Sequence, residues 1–183
     1  MKALIAAAMV TTSQAGPPPS KIDALTVRPY ETDQARGCRL EARIGQRIVA
    51  LETSVRKHWR PEATLLVSGV EAPSSAGSRL PAVLGLTYRI GDQATESRNR
   101  LGAEWVGEGD RKALHVESVQ GLLQPASARL NGQSYVLNYE RFAVAIDGQT
   151  LVEVDADAKF HTAIKELNAC TQKQEPFDPF PSG

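Results

Sequence analysis

Two cysteines stand 132 positions apart, Cys38 in "ARGCRLEARI" and Cys170 in "FHTAIKELNACTQK". Neither belongs to a CxxC pair, so dithiol redox chemistry is not indicated. Neither has a close histidine or cysteine, and two isolated thiolates make a poor zinc site. A single covalent bridge is the chemistry this pair suits, and an oxidising compartment would favour it. Buried free thiols are the competing reading.

The three histidines, His58, His115 and His161, share no short spacing. His115 falls within a strand-like run, and His161 is expected to face solvent at the start of a helix. A metal site would have to be assembled from distant elements, and none is expected. No G-x-S-x-G elbow is present, and Ser74, Ser75 and Ser78 lie in a loop-like stretch without a nearby base. Glu108 and Asp110 beside Trp105 offer two carboxylates and an aromatic platform, the raw material of a glycosidase. The same residues more simply form a solvated hairpin tip. "DADAK" at 155–159 lacks the glycine and distal glutamate of a calcium loop, and helix capping accounts for its acids. No phosphate-binding glycine motif occurs. No catalytic residue and no cofactor is therefore expected.

One patch suits binding. In "RKHWR", Arg56, His58 and Arg60 surround Trp59. Such a patch can hold an anionic sugar, a peptidoglycan fragment or an acidic partner through charge and cation–π contacts. It also suits a polar turn whose tryptophan covers the edge of the core.

The elements that must position these residues read mostly as strands. Leu40, Ala42 and Ile44 alternate with Arg39, Glu41 and Arg43, which places the apolar side chains on one face of a pleated strand. A helix over 39–55 is the alternative. Gly45-Gln46 marks a turn. "IDALTVRPY" is an edge strand expected to end at Pro29, and "ATLLVSGVEA" a further strand. "PAVLGLTYRIGD" alternates and ends in a turn. Leu101 to Val106 and Ala113 to Val119 flank "GEGD" as a hairpin. "GLLQPASARL" suggests a short helix opening near Pro125. "NGQSYVLNY" and "RFAVAIDGQTLVEV" are strands, the latter a hairpin turning at Asp147-Gly148.

The last element changes period. Phe160, Ala163, Ile164, Leu167 and Cys170 recur at spacings of three and four, forming one apolar stripe on a helix over about 157–172. Asp155 or Asp157 can cap it. Cys170 belongs to the inward stripe, so a bridge to Cys38 would staple the helix to a sheet. The expected fold is mainly β (α+β): an antiparallel sandwich or curved sheet with one C-terminal helix packed on it.

Residues 1–15 combine Lys2, an apolar run from Ala3 to Val10, and Ser13-Gln14-Ala15, whose small residues fit a signal peptidase. A Pro-rich leader follows at 16–21, then one β-rich domain over 22–173 and a Pro/Phe tail over 174–183 with Phe177 and Phe180. The apolar run is too short to span a bilayer, and no cysteine follows the expected cut to carry a lipid, so no stable membrane anchor is expected. The 183 residues hold 21 basic and 21 acidic side chains without long runs of one sign. That balance gives no footprint for nucleic acid.

The expected product is periplasmic or secreted. It reads as a non-catalytic binding, inhibitory or envelope-accessory module, with an envelope protein or glycan as partner. A small periplasmic hydrolase with dispersed carboxylates or histidines, and a subunit of an envelope assembly, are the alternatives.

Overall fold

The computed structural model describes residues 20–32, 35–55, 62–71, 79–90, 92–107, 112–130 and 133–176. The expected signal segment, the Arg56/His58/Trp59/Arg60 patch, the Glu108/Asp110 pair, the Ser74–Ser78 stretch and the Phe177/Phe180 tail lie outside the described residues.

The chain forms strands β1 (Ala24–Glu31), β2 (Arg36–Ile44), β3 (Arg47–Val55), β4 (Glu62–Ser68), β5 (Leu80–Ile90), β6 (Gln93–Val106) and β7 (Ala113–Val116). A 3-10 turn at Gln120–Leu122 leads to β8 (Ala126–Leu130), β9 (Gln133–Leu137), β10 (Tyr139–Ile146), β11 (Gln149–Asp155) and helix α1 (Ala158–Gln172). Nine strands make one sheet in the order β1-β2-β3-β4-β7-β6-β5-β10-β11, and every neighbouring pair is antiparallel. β8 and β9 form a separate hairpin.

The expected mainly β fold with one closing helix is therefore the one observed, in its curved-sheet form. The two ends of the sheet come together: the Ser20 N–H donates to the Glu153 carbonyl at 3.2 Å, and Arg47 at the start of β3 donates to the Leu151 carbonyl at 3.0 Å. The sheet thus curls around its own inner face. Period-two patterning dictates which face that is. Cys38, Leu40, Ala42 and Ile44 on β2, Ala63, Leu65 and Val67 on β4, and Phe142, Val144 and Ile146 on β10 are all buried. Full burial of one such aliphatic side chain stabilises the fold by roughly 1.5–3 kcal/mol over leaving it in water.

Helix α1 lies against this inner face, burying Phe160, Ala163, Ile164, Leu167 and Thr171. Phe160 packs on Phe142 with ring centroids 5.6 Å apart. At the other end of the helix, Cys170 is bonded to Cys38 on β2, with Cα atoms 6.1 Å apart. The Thr171 and Thr53 hydroxyls hydrogen-bond beside the bridge. The helix is held to the sheet by an aromatic contact at its start and by sulfur at its end.

Asp157 caps α1, its Oδ1 accepting from the Phe160 N–H at 2.9 Å. Asp157→Ala leaves that N–H without its partner and is expected to cost about 1 kcal/mol, read as a lower urea midpoint at unchanged slope. An unchanged midpoint would contradict the cap.

Three sequence expectations need correction. β1 does not end at Pro29 but runs through it to Glu31. β1 is the outermost strand in the sheet order, where a missing N–H costs no ladder bond. The helical turn precedes Pro125 rather than opening at it, and Ala126 begins a strand. His161 does not simply face solvent. It is part-buried, its Nε2 lies 2.8 Å from the Tyr139 carbonyl oxygen, and its ring centroid is 5.0 Å from that of Tyr139.

Candidate functional site

The outer face of the sheet is polar because the same alternation that buries one set of side chains turns the other outward. Register then decides which outward side chains meet. Arg39 on β2 stands opposite Glu52 on β3, which stands opposite Thr64 on β4. One row away, Leu66 on β4 is opposite His115 on β7, and His115 is opposite Glu104 on β6. Residues far apart in the chain become neighbours across about 5 Å of sheet.

Glu117 follows β7 directly. Its N–H donates to the Gly102 carbonyl of β6 at 3.0 Å, whereas two residues later the Val119 N–H donates to the Ala63 carbonyl of β4, also at 3.0 Å. The corner between them is Ser118, a non-glycine residue at φ 60°. That left-handed conformation costs of order 1 kcal/mol and is held by the hydrogen bonds on either side.

These elements enclose a cleft of about 510 Å³. Its walls are Tyr30 and Thr32 at the β1–β2 turn, Glu52 and Ser54 of β3, Glu62 and Thr64 of β4, and His115, Glu117, Ser118 and Gln120 around the end of β7. Glu52 is paired with Arg39, whose guanidinium also lies 5.7 Å from the Tyr30 ring centroid. Glu117 Oε2 accepts from Arg79 at 2.6 Å. His115 Nδ1 is 3.5 Å from Glu104 Oε1. Donor atoms of Glu104, His115 and Glu117 all lie within 4.8 Å of one another.

One imidazole and two carboxylates can share a proton or attract a cation. Closed metal ligation demands donors at about 2.0–2.2 Å from one ion, and Glu117 is already committed to Arg79. The arrangement as it stands is an acidic, hydrogen-bonding wall.

A second cavity, of about 520 Å³, lies where Ile22 to Leu25 meet the first turns of α1. It has no comparable gathering of acids with an imidazole. A third, of about 130 Å³, sits beside Tyr139 and His161. Tyr139 is the centre of an aromatic cluster with Tyr88, Phe142, Phe160 and His161, and its hydroxyl donates to the Leu122 carbonyl at 2.9 Å. Burial pushes the Tyr139 hydroxyl far above the ordinary tyrosine range, with Tyr88 adding to the effect, and burial raises Tyr88 as well. Both tyrosines ionise near pH 10 in the unfolded chain. A raised folded-state pKa therefore gives stability that is present below about pH 10 and lost above it. Absorbance at 295 nm is expected to show Tyr88 and Tyr139 ionising only as the far-UV signal of the sheet disappears. Ionisation of all 4 tyrosines near pH 10 in a folded chain would contradict the burial.

Of the residues the sequence singled out, the structure joins Cys38 to Cys170 and places His115 in the cleft wall. Arg56, His58, Trp59 and Arg60 lie outside the described residues, although Ser54 and Glu62, which line the cleft, stand on either side of that segment in the chain. Sequence reasoning missed Glu52, Glu62, Glu104 and Glu117 as a group. Only strand pairing brings them together, and the sole local signal was a strand-borne histidine two residues before Glu117. No protein-family model matches the chain, no curated protein matches it, and no solved structure matches it.

Proposed function

We propose that the chain is an exported, non-catalytic binding module, periplasmic or secreted, whose ligand sits in the polar cleft on the outer face of the sheet. The observation that carries this reading is the convergence of Glu52, Glu62, His115 and Glu117 in one cleft of about 510 Å³. Glu52 and Glu117 are held by Arg39 and Arg79, so a ligand that brings positive charge and hydrogen-bond donors would exchange with those guanidiniums for the wall carboxylates. The ligand class is therefore a basic segment of an envelope protein, or a glycan carrying free amino groups. The signal-like leader and the Cys38–Cys170 bridge support export. Among the described residues, no helix is long and apolar enough to cross a membrane.

The test is a ¹⁵N–¹H NMR titration with trilysine and with a glucosamine tetramer, each against its fully N-acetylated form. Amide shifts centred on Thr64, His115, Glu117 and Ser118, present with the amines and weakened at least fivefold by Glu117→Gln, are the expected result. Shifts of equal size with the acetylated probes, or none at these residues, would overturn it.

A small hydrolase is the second reading, favoured by the approach of Glu104 and Glu117 around His115. Against it, these carboxylates are partly exposed, at 46% and 40%. Acid catalysis at neutral pH relies on a desolvated carboxyl. An assembly subunit draws support from Tyr135 and Val136 on the β8–β9 hairpin, 41% and 74% exposed.

A further inference from the structure

The nine-stranded sheet leaves one long stretch of backbone open in its middle. β6 pairs with β5 from Gln93 through Ala103 without a break in register. On its other side, β7 pairs only with Ala103–Val106, and Glu117 extends the contact by one bond, to the Gly102 carbonyl. Among the described residues, Gln93 to Leu101 has no strand on that side. Every side chain from Gln93 to Arg100 is exposed. A strand edge of this length is a template for another strand.

The direction of its free groups follows from one observed bond. Along a regular strand, the N–H and C=O of one residue point to one side and those of the next to the other. The Gly102 carbonyl points to the open side, since Glu117 bonds it there. Arg100, Arg98, Glu96 and Ala94 share its parity, so their N–H and C=O groups point outward too. Ser97 and its odd-numbered neighbours bond β5.

We propose that this edge pairs antiparallel with the same edge of a second copy of the chain, about a two-fold axis at Ser97. In that register Glu96 of each copy stands opposite Arg98 of the other, and Ala94 stands opposite Arg100. All four are residues with outward-pointing groups, so about eight main-chain hydrogen bonds can form. Side chains directly opposite share a face of the joined sheet, which puts each carboxylate against a guanidinium.

The neighbouring registers are poorer in charge. Sliding by two residues one way places Glu96 against Glu96; sliding by two the other way places Arg98 against Arg98, which offsets part of the two Glu96–Arg100 pairs that register forms. Sliding by one sets outward-pointing groups against inward-pointing ones. Within each chain, Glu96 and Arg98 are already paired at 2.9 Å and largely exposed, so their guanidinium and carboxylate lie on the face where the partner's would arrive. The self-complementary order Ala-x-Glu-x-Arg-x-Arg is what selects a second copy rather than an unrelated strand. Isologous contact of this kind closes after two chains.

Sedimentation velocity over micromolar to near-millimolar protein tests the proposal on the intact, disulfide-bonded chain. The mass is expected to rise with concentration from that of one chain to that of two, and the transition to move to higher concentration with added salt. Glu96→Arg and Arg98→Glu, made singly, each put like charges opposite and are expected to weaken association at least tenfold. The double swap E96R/R98E restores opposite charges in the same register and is expected to recover it. Far-UV circular dichroism confirms that each variant is folded. A single-chain mass throughout would overturn the proposal. So would dimers indifferent to the single reversals, or a double swap that fails to rescue.

Discussion

Reducing the Cys38–Cys170 bridge is expected to lower the unfolding free energy by about 4–5 kcal/mol, because the chain-entropy model assigns that much to so long a closed loop. The bridge spans 132 positions, from β2 to the last turn of α1. A single domain has only about 5–15 kcal/mol in all, so the loss is a large part of the total. The folded state reinforces the expectation. Cys38 is fully buried in the inner face, and the Thr53–Thr171 hydroxyl pair sits beside the sulfurs. Without the bond, the helix end keeps its apolar stripe, the Thr53–Thr171 pair and the Asn168 side chain's donation to the Leu123 carbonyl. Urea unfolding of the oxidised chain, the reduced chain and Cys38→Ser/Cys170→Ser measures the difference. Coincident curves would mean that the bridge constrains nothing.

Tyr139→Ala is expected to destabilise the fold by roughly 3–5 kcal/mol, the range for removing a buried aromatic ring. Tyr139 is 2% exposed and touches rings from β5, β10 and α1, so no single element can collapse into the space left behind. Tyr139→Phe separates the two contributions. It keeps the ring but leaves the Leu122 carbonyl without its donor, at about 1–3 kcal/mol. Calorimetry of the two variants should therefore give unequal losses, with alanine well below phenylalanine. Equal losses would assign the whole effect to the hydroxyl and contradict the packing role.

The contrast between these two sites marks what sequence alone can convey. α1 was legible because its apolar stripe at Phe160, Ala163, Ile164 and Leu167 follows the helical period, and those residues are the ones buried. The β10–β11 hairpin was legible because Asp147-Gly148 supplies two positive-φ positions, at 50° and 79°. The first eight residues of β6 were not read as strand, and the reason is physical. With both faces in water they show no alternation, and pairing with β5 alone makes them β.

Gly37 was equally silent. A Cβ there would lie 1.8 Å from the Thr53 carbonyl oxygen, a closeness that only β2–β3 pairing creates. The cleft follows the same rule: Glu52, Glu62, His115 and Glu117 are unremarkable in their own segments and meet only through register. His161 was misplaced because it follows Phe160 on the helix, beside the buried stripe and against Tyr139 rather than opposite it.

Peptide mapping by mass spectrometry, without reduction, of the protein isolated from its native cells reads its export and its covalent closure in one experiment. An amino terminus at Gly16 together with the Cys38 peptide linked to the Cys170 peptide is the expected result. A chain that still starts at Met1, with both cysteines alkylated without reductant, would contradict the proposed export and the helix-stapled β-domain on which the proposed binding role depends.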